Sequence, residues 1–215
     1  GPVTLFIDWI LGWIPVVINK RKKMEIFNIF SAFGLSASAG LNAYIPLLVV
    51  ALLAKYTELI KLQEPWDVMT SWWVIGVLIF LSVVEFLADK IPAVNHVNDI
   101  IQSFIRPTAG AIVFAATATQ IGDVNPTLSL IAGLLVAGGV HAVKAIAVRP
   151  AVTAATGSLG NIPVSMAEDA TSTVVSFLSI VLPVVVACLL VLITTIIVTR
   201  MIFKKKKTQP PAANG

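Results

Sequence analysis

The sequence predicts an all-α protein, a polytopic transmembrane helix bundle of five or six spans with at least one broken or re-entrant segment. Three observations predict it. Of the 215 residues, 57% are hydrophobic and 12% charged, with a mean hydropathy of +0.92; a soluble domain has about 45–50% apolar and about 25% charged residues. The apolar residues form continuous runs, without the in–out alternation of a membrane barrel. The cations gather at the ends. Nine of the 15 Lys and Arg lie at Lys20, Arg21, Lys22, Lys23, Arg200 and residues 204–207, so the net charge of +4 hides a mildly acidic body. Cations that flank apolar runs, rather than covering one folded face, argue against a nucleic-acid partner.

The chain divides into three parts. Residues 1–23 read as a tag remnant (Gly1-Pro2) followed by an amphipathic, interfacial N-terminal segment containing Trp9 and Trp13. Residues 24–203 form the transmembrane domain, and 204–215 a basic, disordered cytoplasmic tail. A secretory signal at 20–39 is rejected, because apolar sequence continues through Ile45-Pro46-Leu47-Leu48 past the small-residue site. The single cysteine, Cys188, excludes an intramolecular disulfide and a thiolate metal site.

A hydrocarbon core about 30 Å thick needs about 20 helical residues. Five stretches approach that: 26–54, 68–84, 107–122, 124–143 and 170–199. The loop 55–67 mixes charges and leads to Trp66, Trp72 and Trp73, an interfacial aromatic belt. Residues 89–106 read as an amphipathic segment along the membrane surface, its polar stripe containing His96 and Asp99. Pro126 stands near the start of a helix. Arg106-Pro107 and Arg149-Pro150 suit helix starts at an interface, where arginine meets lipid phosphate.

Two basic clusters on one side of the membrane require an even number of crossings, whereas five stretches are clear. Residues 151–167 crossing as a broken segment supply a sixth; a bend at Pro183 is the other solution. The broken segment is favoured by an internal echo. Ser36-Ala37-Ser38-Ala39-Gly40 leads to Asn42 and Ile45-Pro46, as Ala154-Ala155-Thr156-Gly157-Ser158 leads to Asn161 and Ile162-Pro163. Paired interruptions of this kind point to a repeat-built transporter with a central site, so Asn42, Pro46, Asn161 and Pro163 are the expected substrate pathway. Simple close packing of small residues gives the same pattern.

Charges inside apolar helices are costly and therefore informative. Glu85 and His141 each fall about 20 Å along their helices at roughly 1.5 Å per residue. Asp89 follows Glu85 by four positions and Lys144 follows His141 by three, so each pair shares a face. Carboxylates on one helix and cations on the other, at matched depth, are expected to pair. Arg106, Arg149, Glu168 and Asp169 complete the set of gating or coupling charges, in a vestibule on the inner side. No zinc-protease, phosphate-loop or nucleophile-elbow motif is present; no catalytic residue, metal or cofactor is expected.

Residues 34–46 (Gly34-Leu35-Ser36-Ala37-Ser38-Ala39-Gly40-Leu41-Asn42-Ala43-Tyr44-Ile45-Pro46), with Asp89-Lys90-Ile91-Pro92, Arg106-Pro107-Thr108-Ala109-Gly110 and Ser165-Met166-Ala167-Glu168-Asp169, resemble a family of bacterial integral membrane proteins catalogued as domain of unknown function 4126. The resemblance covers roughly residues 30–200 and implies a multi-pass protein of the bacterial inner membrane; both basic termini are then cytoplasmic. It implies no activity. The functional expectation is a small transporter or channel-like permeation protein, with a lipid-linked or anionic substrate as the case favoured by basic groups at headgroup depth. The rival expectation is a non-transporting scaffold or assembly factor that binds partner helices. Membrane lipids and a second copy of the chain, as a homodimer, are the expected partners.

Overall fold

The computed structural model describes residues 20–89, 91–118, 124–156 and 160–183, with single positions between 189 and 200; at 20–26, 92–96, 99 and 161 it describes the backbone alone. Residues 1–19, Lys90, Cys188 and the tail 204–215 lie outside it, as do the side chains of His96, Asp99 and Asn161. The described residues are helical: α1 (Lys20–Leu41), α2 (Tyr44–Tyr56), a 3₁₀ turn (Trp66–Thr70), α3 (Trp72–Ala88), α4 (Pro92–Ala118), α5 (Pro126–Val143), a π-helical turn (Lys144–Val148), α6 (Arg149–Thr156) and α7 (Asn161–Val181). Segments Ile100–Ala118, Pro126–Thr156 and Ile162–Val181 are long and apolar enough to cross a membrane.

α1 is the hub, packing on α4, α5 and α7. Its residues 34–40 are all buried, because only small side chains let three neighbours approach one helix so closely. Ser36 Oγ donates to the carbonyls of Gly110 (3.2 Å) and Gly133 (2.8 Å), tying α1 to α4 and α5. Ser38 Oγ meets Ser172 Oγ (2.8 Å) and Ser176 Oγ (2.7 Å) on α7. Higher up α1, Phe33 packs edge-on against Phe114, ring centroids 5.0 Å apart. These pairings make α1 antiparallel to α4 and α7 and parallel to α5. Ser36→Ala is expected to lower unfolding stability by about 1 kcal/mol, read as a lower melting temperature in detergent.

The bundle therefore has two ends. The tryptophan end holds the start of α1, the loop 57–71, the start of α3 and the ends of α4 and α7. Here Trp72 and Trp73 are exposed, Lys55 Nζ lies 4.6 Å from the Trp72 ring and donates to the Thr70 carbonyl, and Tyr56 packs edge-on against Trp72. In the loop, Lys61 lies 2.9 Å from Glu58 and holds its carboxyl below the usual carboxylate range. The opposite, charged end holds Leu41, Tyr44, the last turn of α3, Arg106 and His141.

Four sequence expectations change. Residues 26–54 are not one span: the chain breaks at Asn42-Ala43 and returns as α2. Asn42 Oδ1 accepts from the N–H of Tyr44 and of Ile45, both at 3.0 Å, so the freed amides of the first turn of α2 are satisfied by the side chain. Pro46 then sits third in α2, where a missing N–H costs nothing. Pro163 sits third in α7 in the same way; each Ile-Pro opens a helix rather than interrupting one.

Second, residues 89–106 are not a surface segment. They continue through Pro107 into α4, and Gln102 and Arg106 are buried, since the charged partners of Arg106 lie inside the bundle. Both arginines instead face carboxylates of the bundle, Arg106 that of Glu85 and Arg149 that of Glu168. Third, 151–167 is not a separate crossing: α6 is exposed and 161–167 belong to α7. α7 stops at Val181, with Leu182 out of helical geometry before Pro183, as the residue preceding a proline disfavours the helical region. Fourth, the basic run 20–23 opens α1 at the same end as loop 57–71, not opposite it. The buried charges consequently lie at the far end from that basic cluster, not on its side.

Candidate functional site

Helix direction and length place six polar residues, from five elements, at one depth of the charged end. α3 runs from Trp72 and carries Glu85 to it in its last turn; α4 carries Arg106, α5 carries His141, α7 carries Glu168 and Asp169, and the α1–α2 break carries Asn42. Glu85, Arg106, Asp89, Lys144 and Asn42 are each at most 4% exposed.

At the centre, Arg106 Nη2 donates to Glu85 Oε1 at 2.9 Å and Nη1 lies 3.5 Å from His141 Nδ1. A guanidinium has no acceptor, so Nδ1 accepts and His141 is the neutral tautomer with its proton on Nε2. That proton is donated to Ser103 Oγ at 3.1 Å. The expected direct pairing of the α3 carboxylates with His141 and Lys144 is thus corrected: Arg106, from a third helix, stands between Glu85 and His141. Glu85 Oε2, Gln102 Oε1 and Arg106 Nε have no hydrogen-bond partner among the described residues.

A second pair completes the cluster. Lys144 Nζ lies 2.5 Å from Glu168 Oε2 and donates to the Leu41 carbonyl at 3.3 Å; Arg149 Nη2 lies 3.8 Å from the same Glu168 oxygen. Two cations five positions apart would point to opposite sides of an α-helix. The turn between them is π-helical, with the Arg149 N–H bonded to the Lys144 carbonyl, and this widened turn swings both onto one carboxylate. A carbonyl, Leu41 O, left free where α1 ends, receives the ammonium.

Asp89 and Asp169 are held by neutral donors. Asn98 Nδ2 (3.0 Å) and the Ser165 hydroxyl bind Asp89, and Asn42 Nδ2 binds Asp169 at 2.9 Å. Asn42 thus caps α2 with its oxygen and fastens α7 with its nitrogen. Asn42→Ala is expected to cost about 1–2 kcal/mol through the lost cap alone, seen as a lower melting temperature.

All eight expected charged residues converge here. Of the four expected pathway residues, Asn42 belongs to the cluster, Pro46 is buried in α2, Pro163 is exposed, and the Asn161 side chain lies outside the described residues. Sequence reasoning missed Ser103, Ser165, Asn98 and the serine ladder Ser172, Ser176 and Ser179. The ladder was visible as serines four and three apart, one face of a helix; the others carry no signal until the helices are assembled. Among the described residues, no group of His, Cys, Asp and Glu is arranged to hold a metal ion.

The fold and the site together define a helical protein with segments long and apolar enough to cross a membrane and with buried ion pairs among its helices. Within that class, the chain belongs to the family described as Domain of unknown function (DUF4126), which matches residues 29–202. No curated protein and no solved structure matches the chain.

Proposed function

We propose that the protein is a small multi-pass membrane transporter whose gate is the buried ion-pair network. One observation carries the reading: Glu85, Arg106, Lys144 and Glu168, from separate elements, are ionised partners removed from solvent. Desolvating such pairs costs several kcal/mol per ion, and well-packed apolar residues would hold the helices at least as well. Ionisable groups inside a membrane bundle accordingly mark ion or substrate pathways. The network joins α3, α4, α5 and α7 at the α1–α2 break. Exchange of partners there, for instance release of Arg149 by the π-turn, changes how these helices meet. With the basic run 20–23 kept cytoplasmic, the network gates the side away from the cytoplasm.

The scaffold reading has one observation in its favour. The void beside Asp89, Ser165 and Asp169 is too narrow for a water molecule, so it forms no aqueous passage there. Labelling separates the two. On a Cys188→Ser background, single cysteines at Ser165 and Pro46 are exposed to a membrane-impermeant maleimide in right-side-out and inverted vesicles. A transporter labels at each position from both sides, with the balance shifting when a proton gradient is imposed. Labelling from one side only, unchanged by any gradient, supports the scaffold.

A further inference from the structure

Among the described side chains, four carboxylates converge at the charged end (Glu85, Asp89, Glu168 and Asp169) with three cations, Arg106, Lys144 and Arg149, and with His141 neutral. The cations are not shared evenly. Arg106 serves Glu85, and Lys144 and Arg149 serve Glu168. Asp89 and Asp169 instead take hydrogen bonds from neutral side chains, Asn98 and Ser165 for the first and Asn42 for the second.

These two aspartates also come together. Asp89 at the end of α3 and Asp169 on α7 line one void with Phe86, Ile162, Ser165 and Met166. Three of the six lining residues are apolar and large, so the pair faces little that would solvate two negative charges. The void admits no water molecule and therefore no hydrated metal cation. Among the described side chains, the other charged groups of the cluster are Glu85 on α3, Arg106 on α4, Lys144 in the π-turn, Arg149 at the start of α6 and Glu168 on α7, which pair with one another. The side chain of Lys90 lies outside the described residues.

We infer that Asp89 and Asp169 form a proton-binding site that holds one exchangeable proton between them. The proton deepens the transporter reading, on which its role as coupling ion rests. Loading takes place when the contact between α3 and α7 is open to water: one carboxylate oxygen forms an O–H bond with a proton given up by hydronium, leaving water; unloading reverses this, and no oxidant or reductant takes part. With the proton bound, the four carboxylates and three cations among the described side chains become three of each. Without it, the two aspartates repel, and the contact between α3 and α7 through Ser165 is the one that opens.

The test is infrared spectroscopy of the full chain in lipid, following the carbonyl band of protonated carboxyl groups as pH is raised from mildly acidic to mildly alkaline. The wild type is expected to show the intensity of one carboxylic acid at neutral pH, shifted by deuterium exchange and lost on the alkaline side. Asp169→Asn should lose that band, and Asp89→Asn serves as the second variant should the first fail to fold. A band that persists unchanged in both folded variants, or no titrating band in the wild type, overturns the site. Saturable sodium binding in its place, followed by sodium-23 resonance, also overturns it. The signal does not depend on flux. A titrating band with one-sided cysteine labelling sustains the proton site and sinks the transporter; no band with two-sided labelling does the reverse.

Discussion

Arg106→Leu is expected to lower unfolding stability by about 3–5 kcal/mol, the cost of leaving a buried partner charge uncompensated. Arg106 is 1% exposed and its guanidinium is the link between Glu85 on α3 and His141 on α5. Removing it strands the Glu85 carboxylate, one oxygen of which is already without a partner among the described residues. The double variant Arg106→Leu with Glu85→Leu should recover much of the loss, since no charge then remains to be desolvated. Arg106→Lys should not recover it, because a single ammonium cannot hold Glu85 and His141 with the spread of a planar guanidinium. Thermal unfolding of the four proteins in one detergent checks this. Equal melting temperatures for the single and double leucine variants would refute the pairing as the cause.

The second large effect lies at the crossing of α4 and α5. A methyl group on Gly133 would overlap the Gly110 carbonyl oxygen, Phe114 Cβ at 2.6 Å and Ala111 Cα at 2.8 Å; two of the three obstacles are backbone and cannot rotate aside. One on Gly110 would overlap Ala137 Cβ and reach the Gly133 oxygen at 2.9 Å. The same contact surface carries the Ser36 hydrogen bonds, so forcing the helices apart loses those as well. Gly133→Ala should cost about 1–3 kcal/mol by overpacking, and Gly133→Leu more. Gly76 on α3 and Gly139 on α5 are the internal controls. Neither has a neighbour within 4 Å of an added Cβ, so alanine there should be neutral or stabilise by up to about 1 kcal/mol through helix propensity. Melting temperatures of the three alanine variants give the comparison.

Much of the site was legible because burial of charge in an apolar sequence is itself improbable. Glu85, His141 and Lys144 stand out against their neighbours whatever the fold, and periodicity puts each with its companion on one face. The partner that joins them was not legible. Arg106 lies beside Pro107 at the edge of a polar, amphipathic stretch, and locally that pattern reads as the end of a surface helix. Only the packing of α4 against α1 and α5 carries that stretch inside. Asn42 was singled out for its amide beside an Ile-Pro, but its double duty, capping α2 and binding Asp169, depends on where α7 lies.

Composition and run length alone decide that this chain has helices long and apolar enough to cross a membrane, because a span needs only about 20 apolar residues of helix. The small-residue tract 36–40 likewise announces a close helix crossing before its partners are known. The number of helices and the end of the bundle at which each charge lies were decided elsewhere. The turn at Asn42-Ala43 folds what reads as one apolar run into two opposed helices, and this sends the buried network to the end away from the N-terminal cations. Such a turn is favourable only where a neighbouring helix supplies Asp169 to the Asn42 amide and packs against the returning strand of chain. Hydrophobicity is a property each residue carries by itself; direction reversal is a property of contacts between residues far apart in sequence.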